Sequence, residues 1–177
     1  MSEHGAGAGS DPAPALVRLA VLSDDHDAAA VSRMLAAYLL ETEREKGASV
    51  AGASALPERY RHEVEQPARA FAAAEVWIAQ ADGAIAGMAV LTAPEQGRCE
   101  IKRLWTEPWA RGTGVGRRLV EHCVDRARGR RDTAVELTVW RWREGAIRLY
   151  ERAGFAAVES WDDRAGLVCL RHVLRDR

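Results

Sequence analysis

The stretch RGTGVGRRL, residues 111–119, places glycines at 112, 114 and 116 among arginines at 111, 117 and 118. Residues of these types at this spacing suit one task, which is holding an anion. Glycine lets the backbone approach a ligand without a Cβ in the way, and arginine is the side chain that best grips phosphate. An apolar stripe follows at helical spacing (Val115, Leu119, Val120, Cys123 and Val124), so the loop opens a helix. The first N–H groups of a helix have no internal partner, and its dipole turns the positive end outward, which makes a phosphate site. Two common phosphate motifs do not fit. No lysine follows the glycines as a P-loop requires, and counting G-x-G-x-x-G from Gly112 ends on Arg117. The spacing is instead R-x-x-G-x-G, with Arg111, Gly114 and Gly116 as its fixed points.

The elements that must position this loop can be read from periodicity. Residues 15–22 alternate as a first strand, and Ser23 and Asp24 can cap a helix ended by Gly47. Pro57 opens a short helix that stops before Pro67. EVWIAQ and AIAGMAVLTA read as a hairpin about Asp82 and Gly83, and RCEIKRLWTE as the strand feeding the glycine loop. After the loop and its helix come the strand TAVELTVW, the helix EGAIRLYERAG and a closing pair of strands. This order predicts an α/β fold with a mixed, mostly antiparallel sheet of six to seven strands and about four helices. Residues 1–14 read as a flexible polar lead and 15–177 as one domain. In the strand before the loop, apolar Ile101 and Leu104 stand three apart, which hints at a β-bulge.

At this point the chain resembles the GNAT superfamily of acyl-CoA-dependent N-acetyltransferases. The resemblance rests on EIKRLWTEPWARGTGVGRRLVEHCVDRAR and on AIRLYERAGF, and runs from about residue 75 to 155. It implies a GNAT-like fold and direct transfer of an acetyl group from acetyl-CoA, a cosubstrate, to an amine. It implies a pyrophosphate cradle at Arg111, Gly112, Thr113, Gly114, Val115, Gly116 and Arg117, with the pantetheine arm along Leu104, Trp105 and Thr106. A backbone N–H near Leu104 would stabilise the oxyanion. Tyr150 matches the tyrosine that returns a proton to the thiolate. Glu100 stands where relatives often carry a general base, or else is a surface carboxylate paired with Lys102 or Arg103; Glu136 and Glu75 are its rivals. The chain departs from the family at Arg143, where asparagine is usual.

For the acceptor, the expected contacts are Tyr38 and Glu41 near the end of the first helix, and Trp140. Trp140, Trp142, Trp105 and Trp109 form either an aromatic wall for an amine or core and dimer surface. A small-molecule amine is expected ahead of a protein one, and the chain could pair as a homodimer. A silent CoA-binding sensor on the same fold is the alternative. Net charge is -1, which gives no pull toward nucleic acid or membrane. The three cysteines are far apart, and with no secretory signal they suggest the cytoplasm. No metal is expected: DDHD at 24–27 reads as acidic dressing at a helix start, and HEVEQ at 62–66 lacks its second histidine. Cys99 reads as a small strand residue and His122 as a solvated one on the polar face of its helix.

Overall fold

The computed structural model describes residues 15–174, so the proposed lead at 1–14 lies outside the described residues. Its sheet has seven strands: β1 (Leu16–Leu19), β2 (Ala74–Ala81), β3 (Ala84–Thr92), β4 (Arg98–Thr106), β5 (Ala134–Trp140), β6 (Ala156–Ala157) and β7 (Leu167–Val173). They lie in the order β1-β2-β3-β4-β5-β7-β6. Every neighbouring pair is antiparallel except β4 and β5. That parallel pair is joined by the crossover helix α4 (Val115–Gly129). The other helices are α1 (Asp25–Glu45), α2 (Glu58–Glu65), α3 (Pro67–Ala70) and α5 (Glu144–Arg152). α3 is the element the sequence does not announce, because Pro67 both ends one helix and opens the next at N1.

Two cores cover the two faces of the sheet. On one face α1 lays Val31, Met34 and Leu35 against Val76, Ile78, Met88 and Val90. On the other, α4 lays Leu119, Val120, Cys123 and Val124 against Leu91, Cys99, Val135 and Leu137. β3 is buried on both sides, which is why AIAGMAVL reads as an unbroken apolar run.

β4 departs from regular pairing in the two ways that matter for the site. Opposite β3, Val90 pairs with Lys102 and Met88 with Trp105, so Arg103 and Leu104 together face one residue. This is the bulge that the Ile101–Leu104 spacing hints at. It changes the face presented: Cys99 and Ile101 point to the α4 core, but Trp105 joins the α1 core. Opposite β5, pairing covers only Arg98, Cys99 and Glu100. From residue 101 onward the β5-facing edge of β4 is therefore bare, and the sheet splays open there.

β1 is tied to α1 by one buried carboxylate. Asp27 accepts from Arg18 Nη1 at 2.6 Å, Arg18 Nη2 at 2.8 Å and the Val21 N–H at 2.8 Å. Asp24 caps α1 by accepting from the Asp27 N–H at 3.0 Å. The DDHD run is thus a cap and a clamp. The Arg18 guanidinium holds the Asp27 carboxyl at about 2, below its ordinary 3.8. A depressed carboxylate stabilises the fold above its unfolded pKa and loses that contribution as pH falls through the folded one. Asp27→Asn is expected to cost about 2 kcal/mol at neutral pH. In urea unfolding, the gap between variant and parent should close as pH falls from 4 toward 2. A gap that stays constant over that window would show that the clamp is not electrostatic.

Candidate functional site

The loop before α4 leaves an unusual number of backbone donors free. Gly112 and Gly114 take φ of +82° and +89°, where only glycine sits without strain. Gly114 caps α4 with no side-chain hydrogen bond. Among the described residues, the N–H groups of Gly112, Gly114, Val115, Gly116 and Arg117 have no hydrogen-bond acceptor. A Cβ built on Gly112 or Gly114 would meet nothing within 4 Å, so both glycines look out on open space. Gly116 is different: its Cβ would stand 3.2 Å from Thr106 Oγ1 and 3.3 Å from Leu149 Cδ1, within the floor of a groove.

That groove has a volume of about 710 Å³ and runs between the loop, the bare edge of β4 and α5. Of the residues expected to hold a cofactor, Leu104, Trp105, Thr106, Arg111, Gly112, Gly114, Val115, Gly116 and Arg117 all line it. Thr113 is the exception; its hydroxyl donates to the Ala110 carbonyl at 2.7 Å and holds the turn. Arg111 is turned back from the loop. Its Nη2 donates to Glu41 at 3.2 Å, and its guanidinium lies 4.8 Å from the Trp105 ring. Glu41, expected as an acceptor contact, lines this groove. The reason is that α1 passes over both cavities, and Glu41 lies on the side toward the loop.

A second cavity of about 430 Å³ lies on the other side of the splay. Tyr38 and Trp140, expected as acceptor contacts, and Glu100 and Tyr150, expected as catalytic residues, line it together. The two cavities share Leu104, Arg143 and Ala146. Leu104 is placed there by the bulge, and Arg143 by the turn that starts α5. Arg143 spans the junction to α1: its Nη2 donates to Thr42 Oγ1 at 2.7 Å and its Nε to Glu45 at 2.8 Å. Asparagine is too short to make that span.

Tyr150 is only 7% exposed and packs edge-on to Phe155 at 5.9 Å between ring centres. Its hydroxyl makes no hydrogen bond among the described residues. Burial pushes this phenol above its ordinary value near 10, so it stays protonated at physiological pH. Glu100 pairs with Lys102 at 3.1 Å while lining the cavity, so both of its expected roles remain compatible with its position. Its rivals are engaged elsewhere. Glu75 is paired with Arg126 at 2.7 Å, and Glu136 with Arg171 at 2.6 Å.

The tryptophans divide. Trp140 lines the second cavity and stacks on Trp142 at 4.7 Å, while Trp105 is buried beneath Arg111 and Trp109 is exposed. His122 is not solvated as expected; it packs 4.2 Å from the Trp77 ring, and burial lowers its pKa. Cys99 is buried, and burial pushes its thiol up to about 12, so it is no nucleophile. The residues that sequence reasoning missed are Arg103, Arg59, Tyr60 and Glu63, all on the second cavity. The only signal for Arg103 was the broken alternation around it. Among the described residues no helix is long and apolar enough to cross a membrane.

The model of the acetyltransferase (GNAT) family matches residues 49–155. An IAA acetyltransferase of Azospirillum brasilense is 36% identical over 80 residues, 45% of this chain and 52% of its own length. This chain thus spans about half of that relative. An uncharacterised N-acetyltransferase of Escherichia coli K12, YjgM, is 28% identical over 165 residues, covering 92% of this chain and 91% of its own. A Bacillus subtilis acetyltransferase solved in complex with CoA has the same fold, with a TM-score of 0.61 at 16% identity over 92% of this chain and 100% of that one.

Proposed function

Because the chain belongs to the GNAT acetyltransferase family, we propose that it moves an acetyl group from acetyl-CoA to a primary amine by direct attack, with both reactants bound. The observation that carries this reading is the meeting of the two cavities at Leu104, Arg143 and Ala146. One cavity ends in a cluster of free backbone donors and the other holds a protonated, unpartnered phenol. Acetyl-CoA when bound would supply an activated acyl thioester.

The residues present fit that cosubstrate. The free N–H groups between Gly112 and Arg117 suit a pyrophosphate, and the open space beyond Gly112 and Gly114 leaves room for it. The bare edge of β4 from residue 101 to 106 suits the amides of the pantetheine arm. In the transfer, the amine lone pair forms the N–C bond at the thioester carbonyl. The C–S bond then breaks with its electron pair on sulfur. A Leu104 N–H that turned toward the junction would oppose the charge building on the carbonyl oxygen. Glu100 would take the amine proton, directly or through one water, and Tyr150 would give its proton to the departing thiolate.

The test is release of free thiol from acetyl-CoA over a broad panel of amines, beside thermal shifts with CoA, ATP and NAD. CoA should raise the melting temperature where ATP and NAD do not, and at least one amine class should release thiol. Stabilisation by CoA with no release from any amine would favour a silent sensor. Stabilisation by ATP or NAD alone would overturn the reading.

A further inference from the structure

The acceptor cavity carries a charge pattern that the transfer reading by itself does not require. Its lining includes Lys46, Arg59, Lys102, Arg103, Arg143 and Arg164, six cations, against Glu43, Glu63 and Glu100, three carboxylates. All three carboxylates are already paired within the wall: Glu43 with Lys46 at 2.7 Å, Glu63 with Arg103 at 2.7 Å and Glu100 with Lys102 at 3.1 Å. Arg143 and Arg164 are matched from outside the cavity by Glu45 and Asp162. Arg59 has no carboxylate within 4.0 Å among the described residues; its Nη2 donates to the Tyr60 hydroxyl at 3.0 Å. The wall therefore presents donors and a surplus of positive charge, with no free acid to receive an ammonium.

Arg103 is the centre of this wall. It holds φ of +53°, a left-handed conformation that costs a residue with a Cβ about 1 kcal/mol or more. The bulge of β4 imposes it. Nε and Nη2 each donate to Glu63 at 2.7 Å, and the guanidinium stands 5.7 Å from the Tyr38 ring and 5.4 Å from the Tyr60 ring. These contacts fix the plane of the side chain and occupy two of its three nitrogens. Nη1 has no hydrogen-bond partner among the described residues. A largely buried, immobilised arginine with one nitrogen to spare can receive a carboxylate.

Resting on the transfer reading, we propose that the acceptor is an amine that also bears a carboxylate, of the size of a free amino acid. Its carboxylate is held by Arg103 Nη1 with Arg59, and its amine stands at the junction beside Leu104. Arg103 and Leu104 are adjacent in the chain and line the same cavity, so anion and amine are held within about one extended arginine of each other, a span that admits both α- and ω-amino acids. A polyamine lacks the anion and finds no free acid in this wall for its second ammonium. The same positive wall disfavours an ammonium, so the amine binds in its neutral, nucleophilic form.

The test compares amino acids with their own carboxamides, and with aminophosphonates of the same side chain. It uses both thiol release from acetyl-CoA and calorimetric binding to the CoA-loaded protein. At least one amino acid should bind and react at least 10-fold better than its amide. Arg59→Ala, at an exposed position, and the double variant Arg103→Gln/Glu63→Gln, which leaves no buried charge alone, should each raise KM for that amino acid about 10-fold. Each should also shrink the preference over the amide, which a merely structural role would leave unchanged. Equal handling of acid and amide, a preference for the phosphonate, or a preference that survives in both variants overturns the proposal. Absence of thiol release from any amine sinks the transfer reading instead, and the binding arm still decides whether the pocket selects a carboxylate.

Discussion

Gly114→Val is expected to fold and to lose CoA. Gly114 holds φ of +89° at the cap of α4, a conformation that a β-branched residue does not tolerate. A Cβ there would meet no atom of the protein. The damage is therefore to the path of the backbone, which would have to leave the left-handed region and turn the free N–H groups away. We expect the dissociation constant for CoA to rise about 100-fold or more, a loss of about 2.7 kcal/mol. The melting temperature should fall by about 2–12 °C, the effect of 1–3 kcal/mol of backbone strain in a protein of this size, and leave the variant folded at 25 °C. Calorimetry with CoA beside a thermal melt checks both. Retained affinity in a folded variant would place the cradle elsewhere.

Tyr150→Phe should separate chemistry from binding. Removing one buried hydroxyl leaves the ring packed on Phe155, so affinity for CoA should stay within about twofold of the parent. Turnover should drop by about 10²-fold, the lower range for a lost general acid. The pH profile adds an independent check. Burial raises the pKa of the phenol, so it is protonated throughout the range below pH 10. The parent rate should accordingly rise with pH as the amine loses its proton, with no falling limb below pH 10. A falling limb between pH 7 and 9 that disappears in the Phe variant would contradict the shift. An unchanged rate in that variant would remove the acid role altogether.

The loop was legible in the sequence because its geometry demands glycine. Positive φ at 112 and 114 and a tight floor at 116 leave a mark that composition alone reveals. The bulge was half legible. Ile101 and Leu104 betrayed it through failed alternation, but the residue at its turning point is Arg103, and arginine carries no signal for a left-handed backbone. The wall of the second cavity was the least legible part. Arg59, Tyr60 and Glu63 sit on α2, a helix of eight residues whose polar composition looks like ordinary surface. They acquire meaning only when the fold brings Arg103 beside Glu63 across 40 positions of sequence. His122 went astray for a related reason. Helical periodicity tells which residues share a face, but not which neighbour that face meets. Of the closing pair of strands, β6 is only Ala156–Ala157, the two residues that pair with β7.

The three residue pairs that join β4 to β5 are few rungs for the middle of a seven-stranded sheet. α4 packs against strands on both sides of that seam and acts as its main strap. Any extended ligand laid along the bare edge adds rungs that the polypeptide lacks. Occupancy at 100 times the dissociation constant contributes about 2.7 kcal/mol to stability by mass action. On the proposed function, resistance to heat and to proteases then rises and falls with the supply of acyl carrier. A starved cell would lose this protein sooner than a fed one.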